Sequence, residues 1–221
     1  MNGQCVIFDL DGTLIESEQI WRDVRKKFAI DHGGRWRDDA QTTMMGMRTA
    51  EWTRYMHDKL GVDLSPIDIA ERVIDIVNER FQETVPIIPG ANDVLERLAP
   101  HFKLGLATAG AHRYAQAVLK RTGWDKIFTV AVSADEVAHG KPAPDIYVRV
   151  LELMKADPKQ TVAVEDSGSG IKSAHAASLA VVAIPNRAFP PDQDALSLAA
   201  LVLKELAQLD AHTIHKVLKQ R

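Results

Sequence analysis

The run Val6-Ile7-Phe8-Asp9-Leu10-Asp11-Gly12-Thr13 constrains the fold more than any other stretch of the chain. Its first three residues are apolar and β-prone, which predicts a short strand buried on both faces. Open α/β sheets bind ligands at the carboxyl ends of such strands. Asp9 and Asp11 would repel each other there unless a proton or a cation lies between them, so a bound divalent metal is the simplest remedy. An isolated Asp-Gly pair would indicate only a turn, but the whole run is rarer.

The composition is that of an ordinary soluble globular protein. The chain has 221 residues, 46% hydrophobic and 26% charged, with a net charge of −3 that gives no reason to expect nucleic acid. Its single cysteine, Cys5, excludes an internal disulfide. No apolar stretch approaches the ~18 residues of a membrane span. The first residues lack the basic region of a secretory signal, so we expect a cytoplasmic protein that does not bind membranes.

The segment after the first motif is helical in pattern. Apolar residues recur at helical spacing over three stretches, which are Glu16 to about His32, Thr49 to Leu60 and Pro66 to Thr84. No convincing strand lies between Leu14 and Val85. The block ends in Val85-Pro86-Ile87-Ile88-Pro89-Gly90, a composition that suits a hinge or linker.

From Gly90 onward, helix and strand patterns alternate. The predicted helices are Ala91 to Leu98, Ala111 to Arg121, Asp145 to Met154, one ending near Ala177, and Thr213 to Gln220. The predicted strands are Lys103 to Thr108, Ile127 to Val132, Thr161 to Glu165 and Ala180 to Ile184. Leu201 to Leu203 reads as a last strand, although a helix over Leu196 to Leu209 is the alternative. Such alternation predicts right-handed βαβ units and a parallel sheet covered on both faces.

Polar residues follow several of these strands, where a parallel sheet would gather them at one edge. They offer carboxylates, a hydroxyl, a lysine and glycine-rich backbone, a set that suits phosphoryl transfer. Each group alone has a plainer reading: Thr108-Ala109-Gly110 as a turn, Lys141 as a solvated lysine, and Glu165-Asp166 as helix caps. Pro142 and Pro144 stiffen the loop that carries Lys141.

These runs form four motifs, which are Asp9 to Thr13, Thr108 to Gly110, Lys141 to Asp145 and Glu165 to Ser167. In order and spacing, they resemble the four motifs of the haloacid dehalogenase superfamily, whose members are mostly phosphohydrolases. The resemblance covers essentially the whole chain. It implies an α/β fold, with a Rossmann-like parallel sheet core at residues 1–15 and 86–221 and an inserted all-α helical cap domain at residues 16–85. Glu165-Asp166-Ser167 and Lys141-Pro142-Ala143-Pro144-Asp145 favour the subgroup of β-phosphoglucomutase and small sugar phosphatases.

The resemblance also implies roles for individual residues. Asp9 would be the nucleophile that becomes phosphorylated, and Asp11 the general acid and base. Thr108 and Lys141 would hold the phosphate, with Leu10, Ala109 and Gly110 as further phosphate-binding positions. The cofactor would be Mg²⁺, with Asp9, the Asp11 carbonyl and Asp166 as ligands and Glu165 as a ligand or an outer partner of one.

Several positions bear on which family member this is. Dehalogenases of the superfamily have tyrosine at the place of Asp11, so an acid there favours oxygen–phosphorus chemistry. The segment Met45-Gly46-Met47-Arg48-Thr49 falls where the family places its specificity loop, which makes Gly46 and Arg48 candidate substrate-binding residues. Met45 and Trp21 replace a lysine and a histidine of β-phosphoglucomutase, and His112 replaces a common asparagine. The first two departures weigh against a mutase.

The sequence therefore predicts a Mg²⁺-dependent phosphatase acting on a small phosphorylated metabolite, most simply a sugar phosphate. A phosphomutase and a non-catalytic regulatory module of the same fold are the alternatives. Trp21, Trp52 and Tyr55 could line a pocket, but aromatic residues at helical spacing more often fill a core. His212 and His215 lack further metal ligands. We expect a monomer or a weak homodimer.

Overall fold

A computed structural model describes residues 3–220; the predicted core also includes Met1, Asn2 and Arg221, which lie outside the described residues. One six-stranded sheet, parallel throughout, has the order β3-β2-β1-β4-β5-β6. Its strands are β1 (Cys5–Phe8), β2 (Lys103–Thr108), β3 (Val130–Ser133), β4 (Thr161–Glu165), β5 (Ala180–Ala183) and β6 (Leu201–Val202). The predicted α/β class and parallel sheet are confirmed.

The described part of the chain has ten α-helices. They are α1 (Glu18–Asp31), α2 (Ala40–Met44), α3 (Thr49–Asp58), α4 (Pro66–Glu83), α5 (Ala91–Leu98), α6 (His112–Thr122), α7 (Asp145–Met154), α8 (Gly168–Ala176), α9 (Gln193–Ser197) and α10 (Ala211–Lys219). Helices α1 to α4 are all inserted between β1 and α5, and no strand lies among them. None of the helices that the structure describes has the length and apolar character to cross a bilayer.

The sheet is covered on both faces, as its apolar strands predict. Alternate residues of β1 enter two hydrophobic cores, because side chains alternate across a strand. Val6 and Phe8 pack in the larger core, which extends through the inserted helices. Cys5 and Ile7 pack in the smaller one, against α7 and α8.

Some predicted boundaries were wrong. Strand β3 begins at Val130 rather than Ile127, because a 3₁₀ turn at Trp124–Lys126 continues into Ile127, whose N–H donates to the Trp124 carbonyl at 2.9 Å. The short helices α2 and α9 were not predicted as such, since five residues carry too little periodicity to separate from a loop. The predicted last strand is confirmed at Leu201–Val202, so the alternative helix over Leu196 to Leu209 is wrong.

The register of the three central strands positions the site. Phe8, the last residue of β1, pairs with Leu106 of β2 on one side and Val164 of β4 on the other. The residues that follow these strands therefore emerge at one edge of the sheet. This is the edge at which a parallel sheet binds its ligands.

Candidate active site

Three carboxyl groups meet at the carboxyl end of the central strands. Asp9 follows β1, Glu165 ends β4, and Asp166 comes next in the chain. Carboxylate oxygens of the three lie within 4.8 Å of one another, and all three residues are buried. The Asp9 N–H donates to the Val164 carbonyl at 3.0 Å, which continues the pairing of β1 with β4 past the end of the strand.

Lys141 reaches this cluster from the loop before α7. Its Nζ lies 2.5 Å from Asp9 Oδ1 and 2.6 Å from Glu165 Oε1, and it also donates to the Ala107 carbonyl at 3.1 Å. Only 2% of its side chain is exposed. Burial alone would lower the pKa of Lys141, but the charges of Asp9 and Glu165 outweigh it and raise that pKa. The lysine is therefore a fixed cation beside Asp9.

Glu165 holds Lys141 in place. Its Oε1 accepts from Lys141 and from the Tyr147 hydroxyl at 2.6 Å, and its Oε2 accepts from Ser167 Oγ at 3.2 Å. The turn into α8 passes so close that a Cβ on Gly170 would lie 2.0 Å from this carboxylate. Both oxygens of Glu165 thus have protein donors, which favours an outer position over direct contact with a metal.

The cluster has more negative charge than its lysine can neutralise. Burial, together with the charges of Asp9 and Glu165, raises the pKa of Asp166 well above its ordinary value. Asp166 Oδ2 accepts from Asn186 Nδ2 at 3.2 Å, whereas Oδ1 is buried and has no hydrogen-bond partner among residues 3–220. An oxygen left unsatisfied beside a second buried carboxylate fits a hard divalent cation such as Mg²⁺, which prefers oxygen ligands.

Asp11 lies beside the cluster and is held by three hydroxyl groups. Its Oδ1 accepts from Ser17 Oγ and from the Tyr114 hydroxyl, the latter at 2.5 Å. Its Oδ2 accepts from Thr108 Oγ1 at 3.3 Å. Burial and the Asp11 charge raise the pKa of Tyr114 well above its usual range, so this phenol stays protonated as a donor. The arrangement fixes the direction of the Asp11 carboxyl group.

The predicted phosphate-binding positions surround the same point. Thr108 is fully buried, and its Oγ1 accepts from the Gly110 N–H at 3.0 Å. Ala109 lines both the cavity over Asp9 and Lys141 and an adjoining one beneath the inserted helices. The Leu10 side chain belongs to the hydrophobic core, so only its backbone can face a ligand.

The loop between α2 and α3 closes over this edge. Gly46 lines both cavities, and a Cβ on it would lie 2.4 Å from Ser169 Oγ. The Arg48 guanidinium is engaged elsewhere, by Glu51 Oε1 at 3.2 Å and by the Val137 carbonyl at 3.1 Å. A role of Arg48 in substrate binding therefore stays a prediction, and its observed contacts link α3 to the loop after β3.

Other singled-out residues have structural partners. Trp21 and Trp52 are buried with ring centroids 6.2 Å apart, and both line the cavity beneath the inserted helices. The rings of Trp21 and Tyr114 meet edge to face, with centroids 5.1 Å apart. His112 Nδ1 lies 3.2 Å from Glu136 Oε1. His215 packs against Phe102, with ring centroids 5.1 Å apart.

Several site residues were missed by the sequence reasoning. Asn186 follows β5, so the rule applied to the other strand ends would have found it. Tyr114 had no signal, because an aromatic residue on a helix most simply fills a core. Glu18 lines both cavities beside Asp11, and Gln41 Nε2 donates to it at 2.8 Å. Burial, with the Asp11 charge adding to it, raises the pKa of Glu18 to about 7.

Comparisons with known proteins show the family of the chain. Residues 6–184 match the family model described as haloacid dehalogenase-like hydrolase. The chain is 32% identical to a phosphorylated carbohydrates phosphatase of Thermotoga maritima, covering 80% of this chain and 82% of the relative. It is 28% identical to a fructose-1-phosphate phosphatase of Escherichia coli, covering 80% and 94%.

A solved structure supports the fold. The chain superposes on a β-phosphoglucomutase from Clostridium difficile with a TM-score of 0.85, covering 98% of this chain and 97% of that one, at 21% sequence identity. That identity bears on the fold alone. The family model and the Thermotoga relative together settle the family: the chain belongs to the haloacid dehalogenase-like hydrolases.

Proposed function

We propose that the chain is a Mg²⁺-dependent phosphatase that hydrolyses a small sugar phosphate through an aspartyl-phosphate on Asp9. One observation carries the proposal. Asp9, with Lys141 on its Oδ1, lies beside the oriented carboxyl group of Asp11 and beside the unpartnered oxygen of Asp166. These groups supply a nucleophile, a cation for the phosphate, a proton donor and a metal ligand.

In the first step Asp9 attacks phosphorus. Its Oδ1 is held by Lys141, and no described residue donates a hydrogen bond to Oδ2, which leaves Oδ2 for the attack. A bond forms between Oδ2 and phosphorus, and the bond from phosphorus to the sugar oxygen breaks. Asp11 gives its proton to that departing oxygen. The positive charge of Lys141 and the backbone of Ala109, which lines the cavity over Asp9, attract the phosphoryl oxygens.

In the second step the aspartyl-phosphate is hydrolysed. Asp11, now a carboxylate, takes a proton from water while the water oxygen bonds to phosphorus. The bond between phosphorus and Asp9 Oδ2 breaks, which releases phosphate and restores the Asp9 carboxylate. The donors from Ser17, Tyr114 and Thr108 keep Asp11 in one orientation through both steps.

Asp9 and Asp166 are the proposed side-chain ligands of Mg²⁺, with the Asp11 carbonyl as a third ligand and Glu165 as the outer partner that holds Lys141. When bound, the ion would neutralise charge on the phosphoryl oxygens. The names of the Thermotoga and Escherichia relatives, both phosphatases of phosphorylated carbohydrates, support the choice of substrate class.

We propose the predicted division into a core of residues 1–15 and 86–221 and a cap of residues 16–85. Arg113 of α6 supports a closed arrangement, since its guanidinium donates to Asp75 Oδ1 at 2.5 Å and to the Glu71 carbonyl at 2.7 Å, both on α4. Closure over the site would exclude water from the first step. A location in the cytoplasm and a monomeric or weakly dimeric state stay predictions.

A phosphomutase is the second candidate, because the fold matches a β-phosphoglucomutase. Trp21, which replaces a histidine of that enzyme, is buried against Trp52 and Tyr114 and has no acid or base to offer. Incubation with β-glucose 1-phosphate separates the two functions. A phosphatase releases inorganic phosphate, whereas a mutase accumulates glucose 6-phosphate.

Substitution of the nucleophile tests the mechanism. We expect Asp9→Asn to lower kcat for 4-nitrophenyl phosphate at least about a thousandfold, because an amide oxygen cannot form the acyl phosphate. The fold should persist, since Lys141 keeps its ion pair with Glu165. Circular dichroism checks the fold, and Asp38→Asn, at an exposed aspartate, is the matched control. Retained turnover by Asp9→Asn would refute the assignment of the nucleophile.

A further inference from the structure

Arg25 is a buried cation that makes no hydrogen bond or ion pair with any residue the structure describes. It lies on α1 and is 7% exposed, with its guanidinium carbon 4.6 Å from the ring centroid of Trp21 and 4.8 Å from that of Trp52. Among the described residues none makes a hydrogen bond or an ion pair with it, and its Nε is buried without an acceptor. Burial lowers the pKa of Arg25 to about 10, so the group remains charged at neutral pH. Buried donors of this kind normally have acceptors.

The guanidinium lines the cavity that adjoins the phosphate site. Asp11 and Glu18 line this cavity as well as the one over Asp9 and Lys141. A substrate whose phosphate lies on Asp9 would therefore extend past Asp11 toward Arg25. The two tryptophan rings hold the guanidinium in place, so little side-chain entropy remains to be lost when an acceptor binds.

The charges around Arg25 indicate which acceptor fits. Arg25 is the single cation among the residues lining its cavity, and Asp11 and Glu18 are the acids there. A second phosphate would place two more negative charges beside these two carboxyl groups. A hydroxyl group brings no charge, and it can accept from Arg25 while donating to Glu18.

We propose that Arg25 is a specificity-determining residue that binds a hydroxyl oxygen of the substrate, so that the protein selects hydroxylated monophosphates over bisphosphates. The proposal rests on the phosphatase function given above. It names the side chain that recognises the part of the substrate beyond the phosphate.

Four substrates and two variants test this. We measure kcat/KM for fructose 1-phosphate, glycerol 3-phosphate, fructose 1,6-bisphosphate and 4-nitrophenyl phosphate with Mg²⁺ present. We define the substrate ratio as kcat/KM for the better hydroxylated monophosphate divided by kcat/KM for 4-nitrophenyl phosphate. This ratio should be at least tenfold lower in Arg25→Met than in the unsubstituted protein. Arg22→Met, on the same helix but outside both cavities, should leave this ratio unchanged.

Thermal melting separates binding from a structural role. Methionine keeps the apolar stem between the tryptophans, and the guanidinium has no hydrogen bond to a described residue that the substitution would remove. We therefore expect the melting temperature of Arg25→Met to stay within about 5 °C of the unsubstituted protein. A larger drop without a change in the substrate ratio would mean that Arg25 only supports the fold.

Other outcomes overturn the proposal. An unchanged substrate ratio in Arg25→Met would do so, as would an unsubstituted protein that hydrolyses 4-nitrophenyl phosphate but neither hydroxylated monophosphate. A preference for the bisphosphate that Arg25→Met removes would show an anion site instead. Failure to hydrolyse any of the four would refute the phosphatase function itself, which is a different result from a loss of selectivity.

Discussion

At the residue scale, the site is defined by how buried charges are compensated. Lys141 donates to the carboxylates of both Asp9 and Glu165. The Asp11 carboxyl group instead accepts hydrogen bonds from neutral hydroxyl groups, such as that of Tyr114. In the described part of the chain, the amide of Gln41 is the one hydrogen-bond donor to the Glu18 carboxyl group. Burial and the Asp11 charge raise the pKa of Glu18 to about 7, against the opposing charge of Arg25. Its ionisation therefore costs folding free energy.

The pH dependence of stability tests the state of Glu18. A carboxyl group whose folded pKa is about 7, against 4.5 in the reference state, stabilises the fold while it is protonated. That contribution, at most about 3 kcal/mol, is lost as pH rises from 4.5 through 7. We expect Glu18→Gln to melt at a higher temperature than the unsubstituted protein at pH 8, with the difference vanishing near pH 4.5.

The control for Glu18→Gln is Glu79→Gln, at an exposed position of α4, which should change the melting temperature little at either pH. A Glu18→Gln difference that is the same at pH 4.5 and pH 8 would mean that Glu18 does not titrate in this range. Measuring the difference between variants cancels the pH effects of all other groups.

At the element scale, the ends of the strands were the predictable part of the site. Asp9, Thr108 and Asp166 were found because a parallel sheet brings residues after its strands to one edge. Residues supplied by helices were harder, since the phase of a helix against the sheet depends on packing. Tyr114 reads as a core aromatic until its hydroxyl is seen on Asp11. Arg25 did carry a signal, because it lies one turn after Trp21 on the apolar face of α1.

The boundaries of some helices and strands could likewise be predicted from the sequence, whereas others depended on the tertiary structure. The long amphipathic helices α4 and α7 could be read from periodicity, and α7 was predicted at its observed bounds. The start of β3 could not be predicted from the run of β-prone residues that begins at Ile127. That run does not reveal that Ile127 ends the preceding 3₁₀ turn and so cannot begin the strand. The loop that bears Arg48 was found, but the engagement of its guanidinium by Glu51 and the Val137 carbonyl depends on the tertiary structure.

The turn from β4 into α8 permits a prediction about backbone approach. A Cβ on Gly170 would lie 2.0 Å from the Glu165 carboxylate, which Lys141 and Tyr147 pin in place. We expect Gly170→Ala to displace Glu165, to cost about 3 kcal/mol or roughly 6–12 °C in melting temperature, and to lower kcat at least about tenfold.

Gly168→Ala is the matched control, because Gly168 lies two residues before Gly170 in the same helix. Its Cβ would meet its nearest neighbour, Ala195, at 3.5 Å, which is ordinary van der Waals contact. Alanine also suits a helix better than glycine, so stability should be retained or raised by about 0.5–1 kcal/mol. Equal effects of the two substitutions would contradict the close approach at Gly170.

At the scale of the whole molecule, one hydrophobic core joins the sheet to the inserted helices. Phe8 of β1 and Trp52 of α3 belong to the same cluster, and Phe81 of α4 lies 5.8 Å from the Tyr114 ring. The carboxylate cluster lies at the rim of this core, on the central strands. Events at the cluster should therefore change the stability of the molecule as a whole.

Magnesium binding is such an event, and Asp166 gives it an unusual signature. Without metal, Asp166 is a buried carboxyl group with one unsatisfied oxygen, so Asp166→Asn should raise the melting temperature in EDTA. With Mg²⁺ at about 100 times its Kd, the unsubstituted protein should gain about 2.7 kcal/mol, or roughly 5–11 °C, and Asp166→Asn should gain far less. The difference in melting temperature between Asp166→Asn and the unsubstituted protein should therefore become smaller with Mg²⁺ or change sign. As the control, Asp38→Asn should gain as much melting temperature from Mg²⁺ as the unsubstituted protein. Loss of a metal ligand must weaken the linkage between metal binding and folding. An equal rise in melting temperature for Asp166→Asn would therefore exclude Asp166 as a ligand.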